Sequence, residues 1–488
     1  MRVLMLLAAV IIPLTAGSQI MFERTYGGVD WDAAYSVAQT SDGGYIIAGE
    51  TYSFGAGNGD VYLIKTDQLG DTLWTHTYGG SAFEYAASVA ETDDGGYILA
   101  GRSRSFSAGD SDVYLIKTDG AGDTLWTRIY GGSENDYCRS VEQTTDGGYI
   151  LCGYTSSFGA GAEDVYLLKT DAVGDTLWTR TYGGSGYDSG YSMQQTDDGG
   201  YMIVGRTTSF GAGGNDVYLI ETDAAGDTIR TRTYGGSGAD VAQSVVQTDD
   251  RGYIIAGYTN SWGAGGIDVY LLKTDTAGDT AWTRTYGGAD QDFAYSATQT
   301  SDGGYIIAAG GVPSALVHYD AYLIKTDSFG DTVWTRTYGG VDYDEAYWTE
   351  QTTDGGYIVC GYTMSFGEGD GDVYLIKTDA DGYVEVSGRS DEIARTEAHY
   401  LAQNYPNPFG SATTILYSVG TLKPVRLAVY DIRGALVRDL VDQTVAAGVH
   451  RVTWDGRDAR GTEVGSGVYF CRLEAGDFAE TKRMVILR

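Results

Sequence analysis

Between residues 22 and 386 the chain is a succession of short runs rich in Val, Ile, Tyr, Thr and Trp, each cut off by a Gly/Asp cluster. Runs of this length and composition, bounded by turn residues, predict β-strands. The stretch from Glu84 shows the pattern. It predicts strands over Glu84–Thr92, Tyr97–Ser103, Asp112–Thr118 and Thr124–Tyr130, called a, b, c and d below. The pattern recurs. Tyr-Gly-Gly begins at Tyr26, Tyr78, Tyr130, Tyr182, Tyr234, Tyr286 and Tyr338, always 52 residues on. Seven equal units without atypical caps suit a closed ring better than an open solenoid. Four strands in each of seven units predict an all-β, seven-bladed β-propeller over residues 22–386.

The register makes further predictions. Stepping back 52 residues from Trp74 gives Phe22, so Phe22–Gly28 is a spare d strand at the N-terminal end. Blade 7 has only Tyr383–Val386 in its own d position, and closure of blade 7 by the N-terminal strand is the favoured arrangement. In the a–b turn, Asp-Gly-Gly-Tyr becomes Asp250-Arg251-Gly252-Tyr253 in the fifth unit. Because only the first Gly is replaced, the second is expected to carry the positive φ, in a type I turn with a G1 bulge. Tyr26, Tyr45 and Tyr62 stand for slots that are Tyr in all seven units and are read as inter-blade packing. The fourth unit has Glu221 and Arg230 where others have the Lys65 and Trp74 types, so a Lys–Trp contact is expected to give way to an ion pair.

The loops divide by face. The nearly invariant a–b and c–d turns lie at one end of the disk, and the variable d–a and b–c loops at the other. One d–a slot reads Trp31, Phe83, Asn135, Tyr187, Ala239, Gln291, Tyr343; the next is always acidic, namely Asp32, Glu84, Asp136, Asp188, Asp240, Asp292, Asp344. Two readings stand: a cation or sugar site at the channel mouth, or carboxylates that cap their own loops. The candidate ligand-binding residues are Trp31, Asp32, Phe83, Glu84, Tyr187, Asp188, Tyr343 and Asp344. His318 joins them, from the individual b–c loop Gly311–His318 of the sixth unit. No cofactor is expected; calcium is the alternative left open, although the carboxylate-bearing turns lack the spacing of an EF-hand loop, and a metal site is not otherwise defined.

Composition narrows the function. Residues 2–17 read as a signal peptide: Arg2, an apolar run from Val3 to Leu14, then Thr15-Ala16-Gly17. No other apolar run is long enough to span a membrane. Net charge is −34, and residues 22–386 hold 18 Lys+Arg against 54 Asp+Glu. Such a field repels nucleic acid and anionic lipid. The secreted chain has four Cys. Cys152 and Cys360 occupy one slot in distant blades. Cys138 and Cys152 are expected about three residues out of register, roughly 10 Å apart along the strand. Four free thiols follow. His76, His318, His399 and His450 are scattered, and neither a nucleophile elbow nor a phosphate loop is present, so no catalytic residues are assigned.

After a charged linker, 387–401, short alternating segments predict a small β-sandwich over 402–488. Its motifs are Tyr405-Pro406-Asn407-Pro408-Phe409, Val429-Tyr430-Asp431-Ile432-Arg433-Gly434, Trp454-Asp455-Gly456, Ser466-Gly467-Val468-Tyr469 and Lys482-Arg483-Met484-Val485. This region resembles the C-terminal sorting domain of type IX secretion cargo and, equally, the Ig-like domain of flagellar hook-capping proteins. Arg488 stands where the family often has Lys. The repeats resemble the Gly- and Tyr-rich propellers joined to such domains. The resemblance implies export across the outer membrane, the secretion machinery as partner, and removal of the domain or its use in surface attachment. The expected protein is a secreted or surface-exposed monomer that binds a glycan or protein. The alternatives are a carbohydrate-active hydrolase or lyase at the channel mouth and a structural or adhesive surface component.

Overall fold

Each 52-residue unit folds as the alternation of its strands dictates. The computed structural model describes residues 20–311, 319–384, 400–401, 409, 413–419, 423–445, 448–476 and 478–486. In blade 1, strand a is Asp32–Gln39, b is Tyr45–Thr51, c is Asp60–Thr66 and d is Thr72–Tyr78. They pair in that order as an antiparallel sheet, and the plan repeats through the ring. Blade 7 takes its fourth strand from the other end of the propeller. Phe22–Tyr26 pairs antiparallel with Asp372–Thr378, Phe22 facing Lys377, and Phe22 is buried between blades 7 and 1.

The a strands converge on the axis: Tyr295 and Tyr35, from blades 6 and 1, lie 4.9 and 5.4 Å from Tyr347 of blade 7. Strands b and c are buried on both faces, which explains their continuous apolar runs. The cores lie between blades rather than within them: Ile98, Leu115 and Val113 of blade 2 pack with Val141, Leu151 and Tyr149 of blade 3. Each such buried side chain contributes about 1.5–3 kcal/mol. The Tyr of Tyr-Gly-Gly fastens successive blades. Tyr26 Oη donates to Gly70 O at 2.6 Å, and the same bond recurs from Tyr78, Tyr130, Tyr182, Tyr234, Tyr286 and Tyr338. At the closing junction Thr353 N also donates to Gln39 Oε1 at 2.9 Å.

Three expectations need correction. In the a–b turn the first glycine carries the positive φ, 85° at Gly43, and Arg251 adopts 64° in the same slot. The second glycine is fixed by clearance: a Cβ on Gly44 would stand 2.2 Å from Thr66 O and 2.7 Å from Lys65 Nζ. Next, Lys65 does not place its ammonium on Trp74. It bonds Asp42 and Thr66 O, both at 2.9 Å. Partial burial raises Asp42, but hydrogen bonds from Thr40 and Lys65 outweigh it and hold the carboxyl at about 2. The other half of that expectation holds, since Arg230 and Glu221 approach to 2.5 Å. Finally, Cys138 and Cys152 are nearly in register, because Cys138 faces Gly153 and Ser140 faces Cys152 across a bulge. They remain separate because they point to opposite faces of the blade, Cys138 toward blade 2 and Cys152 toward blade 4. All four thiols are free and buried.

The chain divides into two compact units, residues 1–385 and 386–488. The second has two sheets. One contains Tyr400–Leu401, Thr413–Val419 and Gly448–Trp454. The other orders Leu436–Val445, Lys423–Asp431, Gly467–Ala475 and Phe478–Ile486. Trp454, Ile415 and Tyr417 meet Leu427, Leu473 and Met484 in one core, as a sandwich requires. Phe409 packs on Trp454, ring centroids 5.6 Å apart. Residues 2–17, 387–399 and 405–408 lie outside the described residues.

Candidate functional site: the channel mouth

The acidic d–a slot turns inward. Asp32, Glu84, Asp136, Asp188, Asp240 and Asp344 are fully buried and Asp292 nearly so. Asp32 Oδ2 accepts from Gly28 N at 2.8 Å and Ser53 Oγ at 2.7 Å. Glu84 accepts from Gly80 N, Ser103 Oγ and Ser105 N at 2.7–2.9 Å. Asp188 and Asp344 repeat the Gly and Ser bonds. These carboxylates tie their loop to the b strand. Six of the seven also face an acid from the preceding blade across the first Gly of Tyr-Gly-Gly: a Cβ on Gly27 would lie 2.0 Å from Asp372 Oδ1 and 2.6 Å from Asp32 Oδ2. Burial first, and then Asp32, pushes Asp372 up to about 6, against a bond from Glu368 N. Among the described residues no group of three or more His, Cys, Asp or Glu is arranged to hold a metal ion.

The neighbouring aromatic slot is more open to solvent. Tyr187 and Tyr343 are 51% and 40% exposed, and Trp31 and Phe83 are half-buried. Trp31 lies 4.6 Å from Tyr362 and donates from Nε1 to Glu50 Oε1 at 3.2 Å. Phe83 carries the Arg102 guanidinium 5.0 Å above its ring. Tyr343 stacks on Tyr319 at 6.1 Å. Farther out on this end, Phe54, Phe106, Phe158, Phe210 and Trp262 of the b–c loops are all exposed. His318 lies outside the described residues.

A second set of residues was not picked out from the sequence. Strand a has a one-residue bulge in every blade, between Ala34 and Ser36 in blade 1 and at the matching position elsewhere. The extra residue has no partner on strand b, and a bulge re-aims its side chain. The re-aimed residues are Tyr35, Ala87, Arg139, Tyr191, Gln243, Tyr295 and Tyr347, on the innermost strand. Beside them strand b presents Glu50, Arg102, Tyr154, Arg206, Tyr258, Gly310 and Tyr362. The signal was weak: these slots vary from blade to blade, but so does the second position of strand a, which runs from Ala33 through Tyr85 to Glu345.

Together they form an aromatic wall with charges set in it. Tyr35 Oη donates to Glu50 Oε1 at 2.9 Å, and Tyr295 Oη to Glu345 Oε2 at 3.4 Å. Burial raises both Glu50 and Glu345 above the ordinary carboxylate range, partly offset by these tyrosines. On the adjoining blade 2 Arg102 covers Phe83, Tyr85 and Tyr137, 4.9–5.1 Å from each centroid. Arg139 stands 5.9 Å from Tyr154 and from Tyr191. Such a wall offers stacking faces, hydroxyls and two kinds of charge, the equipment of a binding site.

Comparison with known proteins bears on the two units differently. Residues 416–477 match the family model of the FlgD Ig-like domain. A curated relative, the regulatory protein FlaEY of Caulobacter vibrioides, is 24% identical over 379 residues, 62% of this chain; the chain spans 39% of that relative's length. Among solved structures, PorZ, described as an essential bacterial surface component of the type-IX secretion system of Porphyromonas gingivalis, aligns with 95% of this chain and 60% of its own. Its identity is 13% and its TM-score 0.46. The β-propeller domain of the Trilobed protease from Pyrococcus furiosus aligns over 68% of this chain and 89% of its own, at 10% identity and a TM-score of 0.35. The chain is thus an all-β protein of seven four-stranded blades followed by an Ig-like domain of the FlgD type.

Proposed function

We propose that the protein is a secreted or cell-surface binding protein whose ligand, a glycan or a protein segment, enters the channel mouth. The observation that carries this reading is the strand-a bulge. Each of the seven blades re-aims one side chain of its innermost strand there, tyrosine in four of them and Ala87, Arg139 and Gln243 in the others. Rigid blades presenting varied side chains at loop-bearing ends are a common basis of recognition. The C-terminal domain serves export and surface attachment in this reading, supported by its motif order and the FlgD-type Ig-like match.

The test is a glycan and peptide array probed with the full chain and with Tyr347→Ala. A ligand lost on that substitution supports the reading. Hits indifferent to it, or no hits, sink it, and conversion of a hit to product would move the assignment to the enzyme alternative. Removing residues 402–488 should leave the propeller unexported in a type IX-competent bacterium; unchanged surface display would refute the role given to the domain.

A further inference from the structure

The propeller's cations are mostly committed to repeating duties. Lys65, Lys117, Lys169, Lys273, Lys325 and Lys377 each bond the Asp of their own a–b turn. Arg24, Arg128, Arg180, Arg232 and Arg284 pair with an Asp of the next blade's c–d turn. Arg230 pairs with Glu221. What remains at the channel mouth gathers on blades 2 to 4: Arg102, Arg104, Arg139 and Arg206. Arg206 approaches Glu163 at 3.7 Å. Arg102 and Arg139 make no ion pair among the described residues, although the chain's net charge is −34. Glu50 of blade 1 lies within electrostatic reach of Arg102, but neither guanidinium is in contact with a carboxylate of the propeller's described residues, so both are left to take one from a ligand.

Their setting defines what they would take. Arg102 is covered by Phe83, Tyr85 and Tyr137, and its Nε is buried without a hydrogen-bond partner. Stacking occupies the flat faces of a guanidinium and leaves its in-plane N–H donors to grip a planar anion. Arg139, raised on the blade-3 bulge, is exposed to the channel. Next to it, blade 2 carries Ala87 where blades 1, 4, 6 and 7 carry Tyr, so one bulge position beside the arginine bears only a methyl group. Tyrosine faces border the same arc, and sugar rings stack their C–H faces on such platforms.

Building on the binding role proposed above, we propose that Arg102 and Arg139 form the carboxylate subsite of the channel, and that its ligand is an acidic saccharide whose uronate group they hold while its rings lie on the half-buried Tyr154 and Tyr191. Titration of the full chain with an oligogalacturonate at low salt tests this, with the methyl-esterified oligomer and an oligoglutamate as comparison ligands. Arg102→Gln and Arg139→Gln should each weaken oligogalacturonate binding at least tenfold, and esterification should do the same. Arg232→Gln, which removes an equal charge from the outer rim, should change it less than twofold. Ala87→Tyr fills the position beside Arg139 without touching either arginine and should also abolish binding, so the test survives if an arginine variant fails to fold. Equal binding of ester and acid, equal losses with Arg232→Gln and Arg139→Gln, preference for oligoglutamate, or no oligogalacturonate binding would each overturn the proposal. A neutral ligand lost with Tyr347→Ala would overturn it while sparing the binding role itself.

Discussion

The a–b turn of blade 5 carries an unusual residue whose effect can be worked out. Arg251 sits at φ 64°, where six blades place glycine. A non-glycine residue in the left-handed region costs about 1–2 kcal/mol. Arg251→Gly recovers that strain, and the greater freedom of glycine in the unfolded chain takes back about 0.4–1 kcal/mol. Arg251 is exposed, so little packing is lost. The net expectation is a gain of about 1 kcal/mol, from the balance of those two terms. The neighbouring position should behave oppositely. A Cβ on Gly252 would lie 2.1 Å from Thr274 O and 2.5 Å from Lys273 Nζ. Accommodating it means displacing the Lys273–Asp250 ion pair or the turn itself, so Gly252→Ala should cost about 3 kcal/mol, overpacking plus a lost hydrogen bond. Gly43→Ala supplies the control. Nothing lies within 4 Å of its Cβ, so only the φ cost of about 1–2 kcal/mol remains. Urea unfolding followed by tryptophan fluorescence reads all three as midpoint shifts at constant slope. If Gly252→Ala costs no more than Gly43→Ala, or Arg251→Gly destabilises, the division of labour between the two glycines is wrong.

Asp372, Glu142 and Glu350 have folded-state values of about 6, 7 and 7, raised chiefly by burial. Their contribution is therefore complete below the unfolded carboxyl range near 4 and is lost as pH rises through 6 to 7. Melting temperature should fall between pH 5 and pH 8, and Asp372→Asn should flatten part of that slope; a flat wild-type profile would contradict the assignment. In blade 4, Glu221→Lys alone places two cations together and should cost about 1–2 kcal/mol, whereas Glu221→Lys with Arg230→Trp restores the pattern of the other blades and should recover most of it. Additive losses in that cycle would show the pair to be uncoupled. Cys138 and Cys471 have their thiols pushed up to about 12 by burial, and Cys152 and Cys360 well above the usual value. All four should resist a thiol reagent until the chain is unfolded, and rapid labelling of the native protein would contradict their burial.

Strand order, blade number and the closing strand were legible because 52-residue spacing and period-2 alternation are direct images of backbone geometry. What escaped was tertiary. A double glycine shows that Cβ atoms are unwelcome, but not whether φ or a carbonyl in the next strand forbids them; Thr66 O decides that for Gly44. The same holds for Cys138 and Cys152, whose separation depends on a bulge that shifts the register. The channel wall was missed because attention went to loops, whereas the bulge brings a mid-strand residue such as Arg139 or Tyr347 to the surface of the channel. The acidic slot repeated perfectly because each of its carboxylates has a fixed set of loop donors to satisfy.

Closure by Phe22–Tyr26 imposes an order on assembly. Blades 1 to 6 are each built from contiguous sequence, so they can form as the chain lengthens. Blade 7 cannot, since Glu23 must find Tyr374, 351 residues away. The earliest part of the propeller to emerge is thus the last to be placed, and until then the ring is a crescent with an exposed apolar seam at each end. Contacts of such long sequence separation form slowly. Until the seventh blade has arrived the ring stays open, and its two apolar seams stay within reach of a holding chaperone.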